Sequence, residues 1–324
     1  MFIKIKEMFK WKKLGRIYDP KIVKNKDWMN GYAQSASTLI FDDFIRVYFA
    51  CRSKQDVNGQ FLSYLTYIDI NKLNLFEIIN IAKEPLLELG GLGTFDEFGT
   101  NPASVIKVGD EVRIYYCGWS RCESVPFNSA IGVARSFDNG NTFTKIGKGP
   151  VLSYTPNEPF LLGSPKIKKF NDTWYLWYAA GSEWIKNVGK PEPVYKIRVA
   201  TSKDGINWFK KEENIIEAIL EKNECQASAD VLYHEDKYHM FFSYRNSLNY
   251  RQKHGGYRIG YAASNDLQSW KRDDSKAGIS ISNEGWDSQM VSYSHIFKLK
   301  ENIYMIYQGN HFGRDGLGLA LLTK

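Results

Sequence analysis

A run dense in aromatic and β-branched residues recurs five times along the chain: IRVYFACR at 45–52, VRIYYCGW at 112–119, WYLWYAAG at 174–181, YHMFFSYR at 238–245 and IYMIYQGN at 303–310. Each run has the residue content of a strand. A second motif follows in IGVARSFDNGNTF (131–143), IRVATSKDGINW (197–208) and IGYAASNDLQSW (259–270), with weaker copies in YLTYIDINKLN and GLGLALLTK. Its Asn-Gly, Asp-Gly and Asn-Asp pairs are hairpin signals, because these residues accept positive φ. A repeat of this period made only of strands predicts an all-β fold, a five-bladed β-propeller.

The expected blades cover 30–80, 95–152, 160–217, 224–281 and 286–324. The last copy ends at Lys324 with no fourth strand, while the segment beginning at Trp11 has the look of the fourth strands that begin at Trp208 and Trp270. Residues 11–18 are therefore expected to complete the last blade, and a ring closed by an N-terminal strand leaves no open sheet edge. The 324 residues then form a single domain, 1–324.

Composition narrows the partner classes. Hydrophobic residues at 43% and charged residues at 24% exclude a disordered chain, and 9 Trp, 20 Tyr and 19 Phe suit both strands and stacking against sugar rings. The net charge of +7 favours an anionic partner, but Lys4, Lys6, Lys10, Lys12 and Lys13 form one N-terminal run that reads as a solvated segment. No nucleic-acid-binding motif accompanies it, and no nucleic-acid partner is expected. The N-terminus has no signal-peptide core and no stretch is long enough to span a bilayer, which points to the cytoplasm. Cys51, Cys117, Cys122 and Cys225 lack zinc spacing and read as free thiols; no metal site is expected.

In a four-stranded blade the entry to the innermost strand and the loop after the second strand share one face. Those loops hold Arg52, Trp119, Trp184 with Glu183, Arg245 and Asn310, with Tyr257 and Arg258 at the next strand. Arginine offers a planar fork for carboxylate or phosphate, and aromatic rings offer a sugar-stacking face. The opposite face carries the Ser136 to Phe143 turn, read as structural.

The five-unit repeat resembles the propeller superfamily of arabinanases, invertases, levansucrases and mannoside phosphorylases, and is closest to glycosylase-like proteins of bacterial surface-polysaccharide loci. The resemblance implies carboxylates at the innermost strands that make or break a glycosidic bond. Glu224 in Glu224-Cys225-Gln226-Ala227 matches the invertase-type motif and is the implied general acid. The two aspartates of the pattern are absent: blade one reads Tyr32-Ala33-Gln34-Ser35-Ala36, and Ser164 stands before Pro165 in blade three. Asp96 and Asp287, each after an aromatic residue and before an innermost strand, are further catalytic candidates, with a structural role at the entry turn as the competing reading. Asn101-Pro102-Ala103 is similar to the phosphorylase branch, in which Arg, Lys and His hold phosphate; Arg52, Arg245, Arg258 and His295 fit that part.

The function expected is a carbohydrate-active enzyme, hydrolase, phosphorylase or glycosyltransferase, with Glu183 and Glu224 as acid or base and a saccharide, sugar phosphate or sugar nucleotide as ligand. A glycan-binding propeller that has lost its aspartates is the alternative. Ser136-x-Asp-x-Gly-x-Thr-Phe also matches the Asp box of sialidases, whose propellers have six blades. Arabinanase-like propellers hold an axial calcium through a histidine; for His295 a backbone carbonyl partner is the simpler expectation, and no cofactor is assigned.

Overall fold

The structure is a computed structural model that describes residues 9–252 and 254–323, apart from the side chains at 102 and 103. Lys4 and Lys6, part of the basic run, lie outside the described residues, as does Lys324. The described residues are almost all β. After β1 (Trp11–Tyr18), five groups of strands follow in order. The first holds β2 (Gly31–Ile40), β3 (Phe44–Arg52), β4 (Ser63–Asn71) and β5 (Ile78–Ile81). The second holds β6 (Gly99–Val108), β7 (Glu111–Arg121), β8 (Phe127–Ser136) and β9 (Thr144–Lys145). The third holds β10 (Leu162–Phe170), β11 (Thr173–Asn187), β12 (Lys190–Ser202) and β13 (Phe209–Lys210). The fourth holds β14 (Glu224–His234), β15 (Lys237–Asn246), β16 (Arg258–Ser264) and β17 (Lys271–Arg272). The last holds β18 (Ser292–Leu299), β19 (Asn302–Gln308) and β20 (Leu317–Leu322).

Within each group successive strands pair antiparallel, and β1 pairs with β20 as the fourth strand of the last sheet. A single parallel pair, Ser63 with Gly99, joins the first two groups into one sheet. The first strands of the groups touch in cyclic order, β2 to β6, β10, β14, β18 and back to β2. Apolar residues on facing sheets form the cores between neighbours: Tyr115, Ile131 and Val133 of the second group pack with Ile167, Leu176 and Ala200 of the third. Burying both faces of every inner strand is what the near-continuous apolar runs require.

One device recurs in four sheets. The small residue Ala134, Ala200, Ala262 or Ala320 on the third strand lies opposite a cation on the fourth: Lys145, Lys210, Arg272 or Lys13. That cation pairs with an acid at the entry to the first strand of the same sheet. The pairs are Lys145 with Asp96 at 2.7 Å, Arg272 with Glu224 at 2.6 Å, Lys13 with Asp287 at 2.6 Å, and Lys210 with Glu158. A second-strand tyrosine donates to the acid in three of them, Tyr116 to Asp96 at 2.8 Å, Tyr178 to Glu158 at 2.8 Å and Tyr307 to Asp287 at 3.0 Å. Each acid thus staples the entry loop to the outer edge of its own sheet.

The turns after the third strands are built alike. Ser136 Oγ accepts from the N–H groups of Asp138 and Gly140, and the Asp138 carboxylate accepts from those of Asn141 and Thr142. Ser202 with Asp204 and Ser264 with Asp266 repeat the scheme. The neighbouring group docks on it, because Tyr48 Oη donates to the Gly140 carbonyl and Tyr115 Oη to that of Gly205. Gly140 has φ +76° and a Cβ there would lie 2.0 Å from Tyr48 Oη, so the turn requires glycine. The Asp-box-like segment is a structural turn.

Candidate functional site

The first strand of every group breaks register near its start: between Gln34 and Ser37, Asn101 and Ser104, Gly163 and Lys166, Ala227 and Asp230, and Ser292 and His295. Four of these bulges contain a non-glycine residue in the left-handed region, Ser35, Ser164, Ser228 and Tyr293, with φ between 48° and 54°. Such backbone is costly and re-aims the side chains beside it. Three of the four, Ser35, Ser164 and Tyr293, line a cavity of about 460 Å³ together with Gln34 of β2 and Asn101 of β6.

The walls are aromatic and cationic. Trp184 and Phe127 meet edge to face at 5.7 Å, and Tyr250 and Phe312 do so at 5.6 Å. Arg52 lies over the Tyr32 ring at 4.5 Å, and its Nε donates to Gln34 Oε1 at 3.3 Å. Arg245, 5% exposed, lies 3.7 Å over the Tyr250 ring and 5.1 Å from that of Tyr257. Its Nη2 donates to Tyr195 Oη at 3.1 Å, Tyr195 and Tyr257 share a short hydroxyl contact, and Nε has no acceptor. Burial raises the pKa values of Tyr195, Tyr257 and Tyr293, so all three keep their protons at neutral pH. Among the described residues neither Arg52 nor Arg245 has a carboxylate partner. The carboxylate lining the cavity is Glu192, which accepts from Tyr250 Oη at 2.9 Å and from Arg251.

Of the residues singled out from the sequence, Arg52, Asn101, Ser164, Trp184, Arg245 and Tyr257 line this cavity. The acids do not. Glu224 is fully buried and saturated: Arg272 and Gln226 donate to Oε1 at 2.6 and 2.7 Å, the backbone N–H groups of Ile219 and Leu220 to Oε2 at 2.9 and 2.8 Å. Asp96 and Asp287 are its counterparts in the staples described above. Their carboxylates are held by side-chain donors, Tyr116 and Lys145 on Asp96 and Tyr307 and Lys13 on Asp287. Glu183 is half-buried beside Trp184, outside the cavity lining, where its charge acts on Lys196.

Other candidates are displaced too. Trp119 packs at 6.4 Å from Phe98 and closes over Gly99, whose Cβ would lie 1.6 Å from Trp119 Nε1. Arg258 donates to the carbonyls of Gly256, Tyr257 and Gln289. Asn310 Oδ1 accepts from the N–H groups of Gln289 and Met290, clasping the last entry loop.

His295 corrects the expectation of a carbonyl partner. Its Nδ1 lies 2.8 Å from Asp230, and Nε2 accepts from the Thr38 N–H at 3.0 Å. Burial lowers the His295 pKa to about 4, against the pull of Asp230. Burial alone would raise the Asp230 pKa; Lys168 at 3.0 Å, Lys166 and His295 outweigh it and hold the carboxylate ionised. Two lysines on the Asp230 carboxylate at this histidine do not fit a calcium site, and the described residues contain no cluster of three or more metal-ligating side chains. Sequence reading missed Asp230, Glu192, Tyr195 and Tyr293. For Glu192 and Tyr195 the available signal was the length of the β11–β12 hairpin, which outgrows its counterparts.

No protein-family model matches the chain. Among solved structures it is similar to a glycoside hydrolase, with a TM-score of 0.75, 16% identity, and coverage of 98% of this chain and 92% of that one. A structure from the GH130 family of mannoside phosphorylases and glycoside hydrolases gives a TM-score of 0.71 at 14% identity, covering 99% and 95%. A GH32 beta-fructofuranosidase of Bombyx mori gives 0.60 at 18% identity, covering 90% of this chain and 58% of that one. At these identities the likeness is one of fold, that of the propeller glycosidases. No helix of the described residues is long and apolar enough to cross a membrane. Two curated sequences, the uncharacterized proteins MT1551 and Rv1502 of two Mycobacterium tuberculosis strains, are each 31% identical over 315 residues, 97% of this chain and 99% of theirs. The chain belongs to the family of these mycobacterial proteins.

Proposed function

We propose that the chain is a five-bladed propeller, closed by β1, whose cavity binds a saccharide carrying an anionic group and acts at its glycosidic bond. The cyclic contact of the first strands and the β1–β20 pairing support the ring. The observation that carries the ligand is the pair of guanidinium groups without carboxylate partners, Arg52 and Arg245, set among Trp184, Phe127, Tyr250 and Phe312 in one cavity. A buried cation without a counter-ion is costly, and an anionic ligand relieves that cost. Four free cysteines, three of them buried, support a reducing compartment such as the cytoplasm.

With Glu224, Asp96 and Asp287 committed to staples, Glu192 is the remaining candidate for proton transfer or nucleophilic attack. One lining carboxylate suits transfer to or from a phosphate or nucleotide, where no second carboxylate has to activate water. The test is turnover of glycosyl phosphates and nucleotide sugars by the wild type and Glu192→Gln. Activity lost in the variant with ligand binding retained supports the role; undiminished activity removes Glu192 from the mechanism. A second reading, binding without turnover, is favoured by the engagement of both Glu192 oxygens by Tyr250 and Arg251. Under it, no donor is turned over although saccharides bind.

A further inference from the structure

We infer that the Arg245 cluster is a carboxylate subsite, so that the saccharide taken by the cavity is a uronic acid or an oligosaccharide ending in one. The inference rests on the saccharide reading above and names its substrate class.

The cluster offers one positive charge and several protons. Arg245 is fixed from three sides: stacked on Tyr250 at 3.7 Å, bound through Nη1 to the Asn246 carbonyl at 3.2 Å, and through Nη2 to Tyr195 Oη at 3.1 Å. Among the described residues its buried Nε has no acceptor. Tyr195 Oη already accepts from Arg245, and the hydroxyls of Tyr195 and Tyr257 share one hydrogen bond. The group is rich in donors and lacks an acceptor with charge. Arg52 does not belong to it: that guanidinium sits on Tyr32 and Phe61 and donates to Gln34.

A carboxylate matches this arrangement better than a phosphate. It carries one charge, which Arg245 neutralises, and two coplanar oxygens for a guanidinium edge and a phenol. A phosphate monoester carries about −1.5 to −2 and three oxygens, and at this burial its excess charge would stay uncompensated. Among the described residues the other cations lining the cavity do not supply the second charge at this cluster: Arg251 is paired with Glu192, and Arg52 sits on Tyr32 and Phe61. The aromatic walls nearby accept the apolar face of the ring that bears the carboxylate.

The experiment is a calorimetric titration of the full chain with methyl glycosides of glucuronic, galacturonic and mannuronic acid. Each is compared with its methyl ester, with the corresponding neutral hexoside and with that hexoside's 6-phosphate, and acetate serves as a bare carboxylate. At least one uronide is expected to bind about tenfold or more tightly than its ester and hexoside, and Arg245→Met should abolish that preference. The ester comparison uses wild-type protein and stands even if the variant does not fold. Equal or tighter binding of the 6-phosphate, or a uronide preference that survives Arg245→Met, overturns the inference. Binding of hexosides and uronides alike overturns it while leaving the saccharide reading intact; binding of acetate as tightly as any uronide, or of no sugar at all, overturns both.

Discussion

Glu224→Gln separates a staple from a catalyst, because the two roles predict opposite results. The carboxylate is fully buried and accepts four hydrogen bonds, two on each oxygen. Glutamine keeps the volume but only one acceptor oxygen, so its NH2 faces either the Arg272 and Gln226 donors or the two backbone N–H groups. The loss of a charge-assisted bond costs about 1.5–3 kcal/mol and the stranded buried donors about 1–3 kcal/mol. Arg272 keeps Asp274 at 2.8 Å, which reduces the total, and we set it at about 3 kcal/mol. For 324 residues the unfolding entropy is on the order of 0.7 kcal/mol/K, so the melting temperature should fall by about 4 °C. Scanning calorimetry checks the stability, and saccharide titration below the transition should show binding unchanged. A melting temperature within about 1 °C of wild type, with turnover abolished, would refute the staple and restore Glu224 as the acid.

Other outcomes follow from the same contacts. Glu158→Gln should destabilise by a similar amount, about 3 kcal/mol, because it leaves Lys210 and Arg198 facing a neutral amide, and urea unfolding measures it. Gly318→Ala places a Cβ 2.4 Å from the Trp286 ring and 2.9 Å from that of Tyr307, and should cost about 1–3 kcal/mol in the same assay without changing ligand affinity. The folded-state pKa of His295 is depressed to about 4 from an unfolded value near 6.5, so its contribution is complete above pH 6.5 and is lost as pH falls towards 4. Urea unfolding at pH 7 and 4.5 should show His295→Gln losing about 2 kcal/mol less than wild type over that interval. Trp184→Ala should weaken saccharide binding by about 1 kcal/mol or more while the melting temperature barely moves, since the ring is half-exposed at the cavity wall.

The strands were legible because the repeat wrote them five times, whereas the cation opposite the third-strand alanine emerged only from the strand pairing. Asp96 and Asp287 were legible as entry-turn residues from their matching aromatic neighbours. The surroundings of Glu224 were not legible from its motif, because its partner Arg272 lies 48 residues away on the outer strand of the same sheet. Separation in sequence also hid the partners of His295: Asp230 is 65 residues away. Glu192 and Tyr195 sit on a hairpin longer than its counterparts, so no repeat position pointed to them. The bulges that turn Ser35, Ser164 and Tyr293 into the cavity left no mark, because serine and tyrosine carry no signal for left-handed backbone.

We propose that ligands occupy the cavity lined by Trp184 and Arg245 rather than the surroundings of the buried acids Glu224 and Asp96. A crystal soaked with a methyl uronide tests this most directly. Density is expected against the Trp184 wall, with a polar group within hydrogen-bonding reach of Arg245. Sugar density beside Glu224 or Asp96, with the Arg245 cavity empty, would contradict it.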